Sequence, residues 1–573
     1  MSGTATSWAT AAAIVAAALA TVLVGAYGGR LSRTTSDFLV ASRTVGPRWN
    51  AAAISGEYLS AASFLGVAGL VAKYGADALW YPVGFTAGYL GLLLFVSAPL
   101  RRSGAYTVPD FAEFRLESAR ARTVAMLVVV VICVLYLVPQ YQGAGLTLKI
   151  LLGVPVWVGP LVVGAVVIAN VVGGGMRSIT FVQAFQYWLK LTAIAVPALA
   201  LTVLFAGDRP SLGGPRPPTI GHDTTVAIET DVLVQVARAD GIAVDGAPLP
   251  AAGNYQLHRG STMTLAAGSS TPVVAGAPAA GDDWLTSGAG LGGKHPLFQV
   301  LSLIVATFLG TMGLPHVLVR FYTNPDGRAA RRTALAVVAL LSVFYIFPTL
   351  LGIFARLYVP QLLITGAADA AVLLLPGAAI GGPAGAALAG LVAAGAIAAF
   401  LATSSGLLVS VAGALATDVL RGRVRDFRFA ALVGGLIPIP LALAASALEL
   451  SRNVGLVFAV AASTLCPLLV LGIWWRRLTA AGAICGLIVG AALSGTAAAL
   501  AVTGVIDDDV LGGWPATLVG YPAAVTVPLT FLVMAVVSRF TAPSGTGDIP
   551  RIFARMHVPE RLGMGVERVP AEQ

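Results

Sequence analysis

Ala51-Ala52-Ala53-Ile54-Ser55-Gly56-Glu57-Tyr58 and Gly310-Thr311-Met312-Gly313-Leu314-Pro315-His316 are the two stretches whose reading decides the fold. Each sits inside an apolar run long enough to be a membrane helix, and each interrupts that run. The first does so with a glycine and a carboxylate, the second with glycine and proline. Interrupting a helix in lipid strands backbone N–H and C=O groups at a cost of several kcal/mol each. Such breaks persist only where protein or a polar cavity satisfies the freed groups. The two breaks lie five helices apart, in matching positions of two half-repeats, and this points to a transported solute and a coupling ion held between them. The expected helix breaks are Gly56 in the first stretch and Gly313 and Pro315 in the second.

The composition around these stretches agrees. Of 573 residues, 57% are hydrophobic and 11% charged, and the mean hydropathy is +0.85. This predicts an all-α polytopic membrane protein and excludes an ordinary soluble domain. The formal net charge of +9 does not indicate nucleic acid, because the basic residues sit in short loops between apolar runs, where they set topology. Cys133, Cys466 and Cys485 all fall within spans and read as packing residues, with no disulfide framework or metal site. The first span has no basic residue before it, so it reads as an uncleaved helix with its N-terminus outside.

The apolar runs predict about 13 transmembrane helices, near 8–28, 51–71, 78–99, 123–148, 155–175, 183–206, 298–320, 333–357, 384–416, 427–448, 454–475, 479–504 and 517–538. Alternate loops then carry the arginines: Arg30, Arg33, Arg43 and Arg48, later Arg328, Arg331 and Arg332, and later still Arg476 and Arg477. The alternation puts these loops and the C-terminus in the cytoplasm of a multi-pass protein of the plasma (inner) membrane. Four regions follow: 1–206 with helices 1–6, an extracellular polar insertion at 207–297, 298–538 with helices 7–13, and a cytoplasmic tail at 539–573. Within the insertion, Thr224-Thr-Val-Ala-Ile-Glu229 and Val232-Leu-Val-Gln-Val236 alternate like strands, which predicts a β-rich subdomain. A disordered loop is the other reading.

Enzyme chemistry finds little support. Gly173-Gly174-Gly175 lacks the lysine and the strand–helix context of a phosphate-binding loop. No two histidines have metal-ligand spacing, and of five only His316 falls in a span. Three regions can bind something. An unwound turn in the first break would expose the carbonyls of Ala51 and Ile54 to a hard cation, while the following half-helix N-terminus suits a carboxylate. A small-residue packing face fits the same stretch. Ala402-Thr403-Ser404-Ser405-Gly406 puts three hydroxyls in one helix, either as cation ligands or bonded back to their own backbone. Tyr136-Leu-Val-Pro139-Gln140-Tyr141-Gln142 brings polar and aromatic groups to midplane depth, for a substrate or for interhelical hydrogen bonds. Among ionisable groups in spans, Glu57 could orient the break or take a proton, and Lys190, about two turns into span six from the cytoplasmic side, reads either as a snorkelling residue or as a functional one.

Taken together, these residues resemble the sodium:solute symporter family, and within it the cation/acetate and monocarboxylate symporters. The resemblance runs from about Asp37 to Val537. It is carried by Ser36-Asp-Phe-Leu-Val-Ala-Ser-Arg43, the Ile54-Ser55-Gly56-Glu57 break, Phe181-Val-Gln-Ala-Phe-Gln186, Gly313-Leu-Pro-His-Val-Leu-Val-Arg320-Phe-Tyr322 and Thr403-Ser-Ser-Gly406 with Thr417-Asp418. It implies a five-plus-five inverted-repeat core of the leucine-transporter-like fold, helices two to six matching seven to eleven. It also implies a Na⁺ site made by the carbonyls of Ala51 and Ile54 with Ala402 and Thr403, and Ser404 and Ser405 beside them. Two departures stand out. Some relatives have a hydroxyl where Ala402 stands, and several have an aspartate where Thr180 stands. The second favours one coupling cation, Na⁺ or alternatively H⁺, with no other cofactor.

The function expected from this is uptake of a short monocarboxylate such as acetate, propionate or pyruvate. Ser55, Glu57, Tyr58, Thr311 and His316 would surround the anion, and Gln140 and Tyr141 would close over it. A symporter for an amino acid, sugar or vitamin is the alternative, and a membrane sensor would need an output module that the tail is too short to hold. The expected partners are the anion and the lipid bilayer, with a monomer as the default.

Overall fold

The computed structural model describes residues 2–29, 44–208, 211–228, 231–288, 295–364, 367–420, 423–444, 450–502, 513–542 and 549–559. The 36–43 motif therefore lies outside the described residues.

The first half comprises α1 (Ser2–Gly29), α2 (Pro47–Tyr58), α3 (Val67–Tyr74), α4 (Trp80–Gly91), α5 (Ser97–Arg102), α6 (Val108–Leu116), α7 (Ala119–Leu152) and α8 (Val158–Asp208). The insertion holds α9 (Gly281–Leu285), and after it come α10 (Pro296–Gly313), α11 (Pro315–Tyr322), α12 (Gly327–Tyr358), α13 (Ala371–Ala379), α14 (Gly382–Asp418), α15 (Val424–Leu436) and α16 (Pro438–Ala444). The last described helices are α17 (Leu450–Ser463), α18 (Leu465–Trp474), α19 (Ala480–Val502), α20 (Trp514–Gly520), α21 (Ala523–Phe540) and α22 (Ile549–His557).

Eleven stretches of the described residues are long and apolar enough to cross a bilayer. Two of them hold more than one crossing. Ala62–Arg102 turns back at Gly75, and Val158–Gly207 turns at Gly175, so the described residues make thirteen. Both turning glycines have positive φ, 60° and 59°, a conformation that a Cβ would strain. Helix α14 is the centre of the bundle, buried along nearly its whole length and packed on α8, α7 and α1.

The two breaks differ in origin. At the second, α10 ends at Gly313, Leu314 is extended (φ −75°, ψ 115°) and Pro315 starts α11. Proline drives the residue before it out of the helical region, and at a helix start its missing N–H costs nothing. At the first, α2 runs unbroken through Gly56 to Tyr58. The chain leaves the helix at Leu59 (φ −73°, ψ 85°) and resumes through a wide π-helical turn at Ala62–Gly66. The break thus lies three residues beyond the expected Gly56. That glycine serves close approach instead: a Cβ on it would sit 2.1 Å from the Gln183 carbonyl oxygen.

The insertion folds into seven short strands, β1 (Thr224–Ala227), β2 (Val232–Val236), β3 (Ile242–Val244), β4 (Ala247–Pro248), β5 (Gly253–Leu257), β6 (Thr262–Leu265) and β7 (Val273–Val274). They form two antiparallel sheets, β1-β6-β3-β4 and β5-β2-β7. Alternation along β2 buries Val234 and Val236 against Ile242, Leu257, Met263 and Leu265. The segment after β7 is pinned to the bundle. Trp284 Nε1 donates to the Val71 carbonyl at 2.8 Å, and the Arg356 guanidinium donates to Ala72, Pro278 and Ala279 while lying 5.1 Å over the Trp284 ring. Trp284→Ala is expected to remove about 3 kcal/mol or more of this anchoring. Limited proteolysis of the detergent-purified protein should then cut residues 207–297 faster than in wild type, with the bundle left intact.

Candidate functional site

The unwound turn after α2 frees backbone groups that its own helix no longer pairs, and three other helices supply partners. From α8, Lys190 Nζ donates to the carbonyl of Gly56 and, at 2.8 Å, to that of Leu59. From α14, Thr403 Oγ1 donates to the Glu57 carbonyl at 2.6 Å. From α7, Gln140 Oε1 accepts from Ala61 N at 2.9 Å. Each of these side chains is fully buried. Their convergence satisfies the break, as hydrocarbon requires.

A buried ion pair ties this break to the second. Arg320, on the half-helix after Pro315, donates through Nε to Glu57 Oε2 at 2.6 Å, and each of the two side chains is 1% exposed. Its other nitrogens donate to Thr180 Oγ1 at 2.8 Å and to Gln183 Oε1. Gln183 Nε2 in turn donates to the Ala402 carbonyl at 2.8 Å, and Asn50 Nδ2 donates to the Arg320 carbonyl at 3.0 Å. Two charges leave water at a steep cost, which close geometry and further hydrogen bonds offset; all three Arg320 guanidinium nitrogens are engaged, while Glu57 Oε1 is left over among the described residues. Thr180 is thus engaged by a cation of the protein itself.

Tyr58 and Thr311 face each other across the breaks with hydroxyl oxygens 2.8 Å apart, and the Tyr58 hydroxyl also lies 3.1 Å from the Phe85 carbonyl that it donates to. Rings of Phe85, Tyr89 and Phe458 surround Tyr58, and the Tyr136 ring lies 5.3 Å from His316. Several buried polar atoms here have no hydrogen-bond partner among the described residues: Ser55 Oγ, Ser60 Oγ, the Tyr89 hydroxyl, both His316 nitrogens, Ser404 Oγ, Ser405 Oγ and Glu57 Oε1. Orphaned polar atoms in a buried region are costly unless a ligand, ion or water completes them.

Other expected positions fall elsewhere. Ala51 and Ile54 lie inside regular α2, ahead of the unwound turn. The Tyr141 hydroxyl is 3.4 Å from the Gly435 carbonyl of α15, away from the breaks. Successive helical residues point about 100° apart, so Gln140 and Tyr141 do not share a face, whereas Tyr136, four residues earlier, shares that of Gln140. Lys190 does not snorkel. Its ammonium is in the break. Arg320 received no separate role from the sequence, although an arginine inside an apolar, proline-started half-helix signals a buried partner, and Glu57 is that partner.

This is the architecture of a secondary transporter, two broken helices crossing a buried polar centre. The family profile for the sodium:solute symporter family matches residues 38–209 and 262–490, and what separates the two matched segments lies within the insertion. The chain belongs to that family. It is 31% identical over 527 residues to the uncharacterized symporter YwcA of Bacillus subtilis, covering 89% of this chain and 90% of that one. It is 30% identical over 563 residues to the monocarboxylic acid transporter of Corynebacterium glutamicum, covering 94% and 92%. Among solved structures, its fold is similar to a Na⁺-coupled sialic acid symporter in a substrate-bound outward-open state, with TM-score 0.62, 14% identity and coverage of 94% and 99%. It is also similar to Mhp1, a nucleobase-cation-symport-1 family transporter in a closed conformation, with TM-score 0.50, 13% identity and coverage of 90% and 98%. The fold is the leucine-transporter-like one. The family and its neighbours are transporters.

Proposed function

We propose that the chain carries a short monocarboxylate such as acetate, propionate or pyruvate across the plasma (inner) membrane together with a monovalent cation, by alternating access at the paired breaks. The observation that carries this reading is the charge of the site. Lys190 and Arg320 bring two basic groups to the breaks, with Glu57 as the carboxylate that meets them there, so the site carries one excess positive charge whenever Lys190 is protonated. The excess of one positive charge suits one monovalent anion, and burying it unpaired would be costly. Small hydroxyls and aromatic rings surround it, with Ser55, Tyr58, Thr311 and His316 as candidate contacts of a compact solute. The resemblance to the Corynebacterium monocarboxylic acid transporter supports the same substrate class.

The family and the Na⁺-coupled neighbour support Na⁺ as the cation, with oxygens of Ala51, Ile54 and residues 402–405 as its candidate ligands, and H⁺ is the alternative. At one cation per anion the cycle moves no net charge. The roughly 2.3 kcal/mol that 100 mV gives a lone cation is then unused, and the cation's concentration gradient does the driving. We place the N-terminus outside and the C-terminus in the cytoplasm, as the arginine-bearing loops indicate.

Competition tests the substrate class. Unlabelled propionate and pyruvate should each suppress uptake of labelled acetate into proteoliposomes, while neutral alanine, glucose and nicotinamide should not. Suppression by the neutral solutes alone would end the monocarboxylate reading. Thr403→Ala removes the donor to the Glu57 carbonyl and orphans a buried acceptor, a loss of about 1–3 kcal/mol. It is expected to shift the cation-activation curve further than the substrate-saturation curve. An unmoved activation curve would remove Thr403 from the cation site.

A further inference from the structure

Lys190 sits far from either end of its helix and is fully buried. Its ammonium bridges the carbonyls of Gly56 and Leu59, which flank the point where α2 unwinds. A side-chain cation of the protein thus occupies the turn that a transported cation would be expected to hold. The surrounding elements bring little else that is charged. Glu57 of α2 acts on Lys190 directly, and Arg320 of α11 stands behind Glu57 as its partner. From α8 itself comes Tyr187, whose hydroxyl donates to the Leu340 carbonyl, and from α12 comes Tyr345, hydrogen-bonded to Ser63. Helix α7 contributes Cys133 and Tyr136, both neutral near pH 7. Helix α14 contributes the hydroxyls of Thr403, Ser404 and Ser405.

The charges close either with Na⁺ beside an uncharged Lys190 or with a proton on Lys190 itself, and the seat of Nζ between the carbonyls of Gly56 and Leu59 points to the second. Glu57 and Arg320 cancel, so the empty site is neutral when Lys190 is an uncharged amine. One proton on Lys190 and one bound carboxylate again give zero. A Na⁺ added to a protonated Lys190, Arg320, Glu57 and the anion would leave one net positive charge buried. We propose that Lys190 is the proton carrier of the transport cycle and that H⁺ is the ion moved with the monocarboxylate. The amine takes its proton from the side to which the site is open, and the ammonium then pins the carbonyls of Gly56 and Leu59 while its charge balances the incoming carboxylate. On the other side the proton returns to water and the anion leaves, so one H⁺ and one anion cross per cycle with no net charge. Lysine suits this task because a buried amine readily exchanges its proton, whereas a guanidinium stays charged.

This inference rests on the monocarboxylate reading, and the experiment separates the two. The probe is labelled pyruvate, whose parent acid is too strong to leak appreciably through lipid at neutral pH. The full chain is reconstituted in sodium-free proteoliposomes. An inward pH gradient is expected to drive uptake by wild type. In Lys190→Arg, permanently charged, net pH-driven uptake should fall by about tenfold or more, while exchange of internal for external pyruvate persists. In Lys190→Gln, which is neutral, uptake should stop responding to pH and instead follow an imposed inside-positive potential, because the anion then crosses alone. Pyruvate uptake that requires Na⁺ and ignores the pH gradient would overturn the inference and leave the monocarboxylate reading standing. So would undiminished pH-driven uptake by both variants. Failure of wild type to move pyruvate or acetate under either gradient would overturn the monocarboxylate reading, and the proton carrier with it.

Discussion

Arg320→Met is expected to cost about 3–5 kcal/mol, because it leaves the Glu57 carboxylate buried without its counter-ion. The same change strips donors from Thr180 Oγ1 and Gln183 Oε1 and so loosens Gln183, whose amide holds the Ala402 carbonyl. A lower unfolding temperature of the detergent-purified protein and the loss of uptake should follow together. The paired change separates charge from packing. With Glu57→Gln added, no uncompensated carboxylate remains, so the double variant should recover much of the stability lost by Arg320→Met alone. A double variant no more stable than the single one would show that Arg320 acts through its contacts with Thr180 and Gln183, not through Glu57.

Gly56→Ala should be as damaging for a different reason. The new methyl would sit 2.1 Å from the Gln183 carbonyl oxygen, 2.9 Å from the carbon bearing it and 3.4 Å from Tyr187 Cβ. The oxygen belongs to the α8 backbone, so it cannot rotate aside, and α2 and α8 must separate. Overpacking of this kind costs about 1–3 kcal/mol and sometimes more. The separation also draws Gly56 away from Lys190, the donor that satisfies its carbonyl. Uptake by Gly56→Ala should therefore fall further than its stability. Gly173→Ala is the control, since among the described residues no atom beyond its own helical turn lies within 4 Å of its new methyl, and it should behave as wild type. Wild-type uptake by Gly56→Ala would mean that the break does not depend on the close contact between α2 and α8.

What was legible in the sequence follows from local physics. The thirteen crossings come directly from the apolar runs, and the second break comes from Pro315, whose ring acts on its own neighbour. The first break was misplaced because no residue within α2 causes it. The unwinding at Leu59 is held by Lys190, Thr403 and Gln140, which lie 131, 344 and 81 residues away along the chain. Glycine weakens a helix without ending it, so Gly56 drew attention for the wrong reason. The sequence leaves Lys190 open between snorkelling and function because snorkelling is a property of depth, and its contacts with the Gly56 and Leu59 carbonyls decide for the break. Gln140 and Tyr141 are adjacent in a helix and project about 100° apart, so Gln140 meets the break while the Tyr141 hydroxyl meets α15. The strand-like alternation of β1 and β2 could be read locally, while the order β1-β6-β3-β4 joins strands far apart in the chain and has no local signature.

The central claim is that the buried centre between the breaks moves a monocarboxylate together with a cation. Uptake of labelled pyruvate by the purified chain in proteoliposomes, with Na⁺ and pH gradients imposed separately, tests it most directly. The account predicts accumulation above protein-free vesicles under at least one inward cation gradient, and its collapse when an ionophore dissipates that gradient. Protein shown to be folded that accumulates no pyruvate and no acetate under either gradient would contradict it.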